Sequence, residues 1–292
     1  MFKVTKLFDD FGCVISPEND NHNLLSFDTT EIFKKIHTFG AVIFRGFETN
    51  SDKFKLITER FSGSFISHIA PQLRPTVGDD PTITEVLSGN GLIYLHGEMY
   101  YLPNRPDFLW LYCIQPAAID GETTVCNSTS FLEALSAKTR KLLEENKVHY
   151  HFFMTKNQVE IGLGKTREQV VQSLESRGVT EFKFDKEDGL NFTTTSLAIK
   201  TLPNGKKGFI NSIANISQYS NSTSSKIKME LENGIPLVGD LLSEIAEAGE
   251  SVAEKIKWQA GDVLVVDNKW VLHGRRPFTG QRKILTRFGM AA

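Results

Sequence analysis

The fold class this sequence predicts is a mainly β core, a sandwich or barrel, decorated with several α-helices. Short β-rich runs cluster between Thr82 and Asn127 and return at the C-terminal end, while helical patterns lie outside these clusters. No internal repeat, low-complexity tract or linker divides the 292 residues. The whole of 1–292 therefore reads as one domain, long enough to bury a substantial core.

In chain order, Asp28 with Glu31 three positions on reads as a capping box. It opens an amphipathic helix carrying Ile32, Phe33, Ile36 and Phe39, which Gly40 stops. Ala41 to Phe44 reads as a short buried strand, and Ser51 as the cap of a second helix ending near Gly63. TITEVL, GLIYLH, DFLWLYCI and ETTVC follow as short strands between Gly, Pro and Asn. A helical stretch spans Phe131 to Lys147, and another runs from Thr166 to Arg177 with Thr166 and Gln169 as a capping box. The polar, charged stretch 154–190 reads as an insertion, with Gly162 and Gly164 opposing a regular element and suiting the hinges of a lid. Strands resume near Leu197 and Gly208, a helix covers Leu237 to Ala248, and the chain ends on strands Val263 to Asp267 and Ile284 to Phe288.

Composition narrows the function. Lys and Arg number 33 against 35 Asp and Glu, a balance that leaves no electrostatic footprint for nucleic acid or an anionic membrane. Met1 to Cys13 holds no apolar run of signal-peptide length, and no segment approaches a membrane span. Cys13, Cys113 and Cys126 are widely spaced and suit free thiols in a reducing cytoplasm.

His96-Gly97-Glu98 closes the run GLIYLH. Residues two apart on a strand share a face, so both side chains could reach one ion. With 7 His and 35 acids, such a triplet is expected about once by chance, and alone it is weak. A third ligand from a distant strand, His273 after VLVVD, would complete a facial triad with open positions.

The surroundings of the triplet are more specific. Trp258 to Arg287 reads WQAGDVLVVDNKWVLHGRRPFTGQRKILTR, Pro116 to Asn127 reads PAAIDGETTVCN, and Phe39 to Phe47 reads FGAVIFRGF. In this order the segments resemble the taurine-dioxygenase-like (TauD/TfdA) family of iron(II)/2-oxoglutarate oxygenases. The likeness touches almost the whole chain except 154–190 and much of 210–250. It implies a double-stranded β-helix, or jelly roll, and the use of Fe(II), 2-oxoglutarate and O2.

Carried over residue by residue, the resemblance makes His96, Glu98 and His273 the iron ligands. Thr123 matches the family threonine that helps to hold 2-oxoglutarate, although Asp120-Gly121-Glu122-Thr123 lacks the first glycine of the family's Gly-Gly-Asp-Thr turn. Arg282 matches the cosubstrate arginine, whose planar guanidinium grips a carboxylate bidentately. Arg282 and Arg287 are five apart and face oppositely unless a bulge intervenes, so Lys283 or Arg287 could take that place instead, Arg287 being the second choice. Arg275 and Arg276 read as loop or sheet-edge charges, Asp267 and Asn268 as organisers of the turn before His273, and Tyr100, Tyr101, Trp110 and Trp270 as packing residues. His68, His149 and His151 lack acidic partners at ligand spacing.

The expected activity is hydroxylation or desaturation of an unactivated C–H bond in a small molecule. HGRRPFTGQRKIL resembles relatives from biosynthetic pathways, which suggests a free or carrier-bound amino acid. A carrier protein and a homo-oligomer stay open as partners. Two alternatives use the same residues differently: a zinc hydrolase on the same triad, which leaves Thr123 and the arginine strand unexplained, and a metal-free jelly-roll binding protein, against which the intact triad argues.

Overall fold

A computed structural model describes residues 2–18, 23–68, 74–219 and 226–291. The chain opens with β1 (Phe2–Lys6), β2 (Cys13–Pro17), α1 (Thr29–Phe39), β3 (Ala41–Phe44), α2 (Ser51–Phe61) and β4 (Ser64–Ile66). Asp28 caps α1 by accepting from the Glu31 amide at 2.9 Å, and Ile32 and Ile36 form its buried face. Gly40 closes the helix at a φ of 70°, which L side chains adopt only with strain. The cap of α2 is Asn50, one residue before the expected Ser51; its side chain accepts from the Lys53 amide at 2.8 Å. Asn caps at least as well as Ser, so the helix begins one residue earlier.

The middle of the chain supplies β5 (Thr84–Glu85), β6 (Ile93–His96), β7 (Phe108–Gln115), β8 (Ile119–Asp120) and β9 (Thr123–Asn127). Next come α3 (Ser128–Ala134), α4 (Ala137–Glu145), β10 (Val148–Met154), α5 (Lys156–Gly162), α6 (Arg167–Ser176), β11 (Phe182–Phe184) and β12 (Leu190–Ser196). The expected helix over 131–147 is thus two. Leu135 closes the first and Ser136 caps the second, with the Glu244 carboxylate accepting from the Ser136 amide.

The 154–190 stretch corrects its reading. Gly162 belongs to α5, Gly164 makes the turn, and the Thr166–Gln169 capping box opens α6 with both reciprocal bonds formed. Val159, Leu163, Val170 and Leu174 are buried in the core, and β11 pairs with β12. Those apolar residues lie among charges in sequence, but their helical spacing gathers them on one side.

The last third contains β13 (Ile199–Thr201), β14 (Lys207–Phe209), α7 (Ile213–Ser217), β15 (Lys226–Leu231), α8 (Asp240–Ser251), β16 (Glu254–Ile256), β17 (Val263–Asp267), β18 (Val271–Arg275), β19 (Phe278–Thr279) and β20 (Lys283–Met290). The result is a mixed, sheet-rich fold with several helices. The largest sheet runs β1-β2-β3-β17-β7-β20-β4, with β5 against β20. A second runs β16-β9-β18-β6, and a third β11-β12-β10-β15. No helix among the described residues is long and apolar enough to cross a membrane, and all three cysteines are buried free thiols.

Strand alternation splits the apolar residues between two cores. From β7, Phe108, Trp110 and Tyr112 pack with Ile32, Ile36, Phe54 and Ile57 of α1 and α2. Leu109 and Leu111 point the other way, toward Val125, Val271 and Leu272 of the second sheet. The functional residues gather between these two sheets.

Gly40 also lies where chain and tryptophan meet. A Cβ there would collide with the Trp270 ring and Val271, and its positive φ adds strain. Gly40→Ala should lower stability by about 2–4 kcal/mol in urea unfolding. A loss below about 0.5 kcal/mol would contradict this packing.

Candidate metal centre

His96 ends β6, and the antiparallel register sets it directly opposite His273 of β18. The two imidazole rings are 4.2 Å apart between centroids. The pairing is close because position 274 is glycine: a Cβ there would run into the Ile93 carbonyl and the Thr124 hydroxyl.

Glu98 reaches the histidines by a route that strand alternation does not describe. β6 stops at His96, and Glu98 stands in the following turn. Asn268 holds that turn: its Oδ1 accepts from the Glu98 amide at 2.8 Å, while its Nδ2 donates to the carbonyls of Glu98 at 3.1 Å and Pro106 at 2.7 Å. The Ser212 hydroxyl donates to the Gly97 carbonyl, and the Gly97 amide to Asn211. Met99 completes the turn at a φ of 57°, a strained value for a non-glycine residue held by this network.

One donor atom from each of His96, Glu98 and His273 lies within 4.8 Å of the others, and all three residues are buried. The His96 Nδ1 is engaged by the Tyr94 carbonyl at 2.8 Å, which leaves Nε2 for a metal. The Nε2 of His273 stands 3.4 Å from Glu98 Oε2, and its Nδ1 is buried without a partner among the described residues. Burial, then the neighbouring His273, lowers the His96 pKa to about 3, so this imidazole is neutral at physiological pH. Burial opposes ionisation of Glu98, but the hydrogen bond from His273 and the fields of Arg74, His273 and His96 outweigh it. The carboxyl is held well below the usual carboxylate range. Two imidazoles and a carboxylate, buried at the edge of a cavity, fit a ferrous ion.

The cavity between the sheets is lined by His96, Glu98 and His273 together with Thr123, Arg282 and Thr286. Arg282 donates through Nε to the Gly121 carbonyl at 3.0 Å and through Nη2 to the Thr123 hydroxyl at 3.4 Å. That hydroxyl also accepts from Trp258 Nε1 at 3.0 Å. In place of the family's first glycine, Asp120 takes a φ of 58°, and Gly121 takes one of 73°. Aspartate is among the side chains that tolerate this region. Burial and the charge of Arg275 lower the Arg282 pKa to about 10, which keeps it a cation at neutral pH.

Arg287 goes elsewhere. The register shift on β20 falls between Lys283 and Ile284, before the run in which residues alternate. Ile284 and Phe288 join the core toward the second sheet, and Leu285 joins the other core. Arg287 therefore points to the α2 side, with Nη2 2.6 Å from Asp80 Oδ2, Nε bonded to Thr82 and Nη1 to Thr58. Lys283 is half-exposed beside Glu85. Of the three basic residues weighed on this strand, Arg282 alone lines the cavity.

Other readings change as well. Arg275 is buried, not a loop charge: it bonds the carbonyls of Leu87 and Gly91 and lines the cavity. Strand alternation held the signal, because Arg275 lies two residues after His273. His68 comes within 3.9 Å of Glu98 Oε1, a contact that spacing along the chain does not reveal. Arg74 and Tyr219 also line the cavity, from segments without periodicity. Tyr100, Tyr101 and Trp110 pack in the cores, Trp270 packs against Phe11, and Arg276 pairs with Glu250. Asp267 engages His37, and His151 engages Glu230.

The sequence model described as Taurine catabolism dioxygenase TauD, TfdA family matches residues 4–288. A clavaminate synthase-like protein of Arabidopsis thaliana is 25% identical over 269 residues, 86% of this chain and 81% of that protein. The 3-((Z)-2-isocyanoethenyl)-1H-indole synthase of Fischerella ambigua is 20% identical over 279 residues, 94% of this chain and 89% of that protein. The structure of PvcB, an Fe, alpha-ketoglutarate dependent oxygenase from an isonitrile synthetic pathway, superposes with a TM-score of 0.61 at 14% identity. That match covers 100% of this chain and 92% of PvcB.

The Arg287 cluster generates a stability prediction. Removing a buried partner strands the groups that surrounded it, so Arg287→Ala should cost about 2–3 kcal/mol in urea unfolding. A change below about 0.5 kcal/mol would show that the Asp80 and Thr58 contacts hold nothing together.

Proposed function

The chain belongs to the TauD/TfdA family and is a 2-oxoglutarate-dependent dioxygenase using iron and O2, and within that class we propose that it hydroxylates or desaturates an unactivated C–H bond of a small molecule. The substrate we favour is a free or carrier-bound amino acid. The carrying observation is that the buried His96, Glu98 and His273 line the same cavity as Arg282 and Thr123. In this reading the first three hold iron, and Arg282 with Thr123 grips the remote carboxylate of 2-oxoglutarate. We read 1–292 as one oxygenase domain, and the sheets that flank the cavity as the two layers of a double-stranded β-helix.

Bound iron supplies activation of O2, coupled to decarboxylation of 2-oxoglutarate to succinate and CO2. The protein's own residues do the positioning. Asn268 fixes the Glu98 turn, and the Tyr94 carbonyl fixes the His96 ring. Arg282 offers a carboxylate a charged donor, and Leu109 and Leu111 add apolar surface to the cavity. Similarity to an isocyanoethenyl indole synthase supports a small nitrogen-containing substrate. It also keeps desaturation beside hydroxylation, since an ethenyl group carries the double bond that desaturation leaves. A zinc hydrolase on the same triad would give Arg282 and Thr123 no task.

Under anaerobic conditions the protein should bind one equivalent of ferrous iron, and added 2-oxoglutarate should produce a visible charge-transfer band. His96→Ala and His273→Ala should each abolish it. Arg282→Ala should raise the 2-oxoglutarate concentration needed for the band by about a hundredfold or more, as expected when a buried charge pair loses one partner. Full iron occupancy with turnover in either histidine variant would sink the ligand assignment. Unchanged 2-oxoglutarate affinity in Arg282→Ala would sink the arginine.

A further inference from the structure

Arg74 enters the cavity from the segment before β5, beside Val86, Leu87 and Tyr219. Its Nε is buried and makes no hydrogen bond among the described residues, and no carboxylate there stands within ion-pair distance of it. Its guanidinium lies 5.3 Å from the centroid of the Phe288 ring. Arg275, the other cavity arginine outside the cosubstrate grip, is already occupied by the carbonyls of Leu87 and Gly91. Nearby, the Oδ1 of Asn215 is also buried without a partner.

The charges of the loaded site sharpen the contrast. On the reading proposed above, ferrous iron and Arg282 are balanced by Glu98 and dianionic 2-oxoglutarate, and these four cancel. Arg74 and Arg275 then leave the cavity with surplus positive charge and no anion to meet it. A partly buried guanidinium without a partner is costly, and a neutral substrate would bury Arg74 further without relief. We propose that Arg74 is the substrate anchor, and that it binds a carboxylate of the prime substrate. This inference rests on the oxygenase reading and, of the two substrate forms proposed there, selects the free acid over the carrier-bound one: small organic acids with an apolar body.

The test measures binding rather than turnover. Wild-type protein loaded with Mn(II) and N-oxalylglycine is titrated by calorimetry with hexanoate, 3-phenylpropanoate and the proteinogenic amino acids, each paired with its primary amide. At least one acid should bind about tenfold or more tightly than its amide, the worth of a charge-assisted hydrogen bond. Arg74→Gln should erase that preference and Arg74→Lys should restore part of it, with thermal melting showing that both variants are folded. The proposal is overturned if wild type prefers no acid, or if the preference survives in Arg74→Gln. Iron-dependent conversion of 2-oxoglutarate to succinate by wild type is scored separately. Its absence would count against the oxygenase reading, whereas its presence without acid preference would remove Arg74 alone.

Discussion

The antiparallel pairing of β18 with β6 is the constraint on which the rest of the site depends. It sets His273 opposite His96, and the missing side chain of Gly274 lets the strands approach closely enough for the two rings to stand 4.2 Å apart. Everything else is arranged around that pair. Asn268, on the turn between β17 and β18, reaches back to hold the Glu98 backbone, so a short stretch of chain carries one histidine and fixes the turn that presents the carboxylate.

Electrostatics in so closed a space require each charge to have a use. Glu98 stays ionised against its burial because it accepts a hydrogen bond from His273 and lies in the longer-range fields of Arg74 and the two histidines. Arg282 stays a cation at neutral pH despite burial and a neighbouring arginine. Arg287 is paired with Asp80 on the opposite face of β20, so the same strand serves the site on one side and the α2 packing on the other. Arg282, just before β20 and its register shift, lines the cavity, and Arg287, within the strand, faces the other way.

Much of this was legible in the residues. Ala41–Phe44 and Val263–Asp267 are strands with the expected bounds, since continuous apolar runs between Gly and polar residues admit few alternatives. The Thr166–Gln169 cap was legible because its chemistry is local. The family resemblance held for the same reason: its motifs are short and come in order. What escaped depends on contacts distant in sequence. Glu98 is placed by a turn that Asn268 stabilises from 170 residues away, and His68 nears it from another segment. The apolar side of α5 and α6 was hidden by the charges between its members, which made a packed element look like a solvated excursion.

The Thr123 hydroxyl has a consequence for recognition. A hydroxyl has two lone pairs and one proton. Trp258 and Arg282 both donate to this oxygen, so its accepting capacity is spent and its proton remains to be directed. At that spot the protein can offer only donors: the Thr123 O–H beside the Arg282 guanidinium. A ligand group that brings its own N–H or O–H there would meet proton against proton, while a bare oxyanion would meet complementary groups. The selection is one of polarity rather than size, and it comes from an indole nitrogen fixed on the far side of a single oxygen atom.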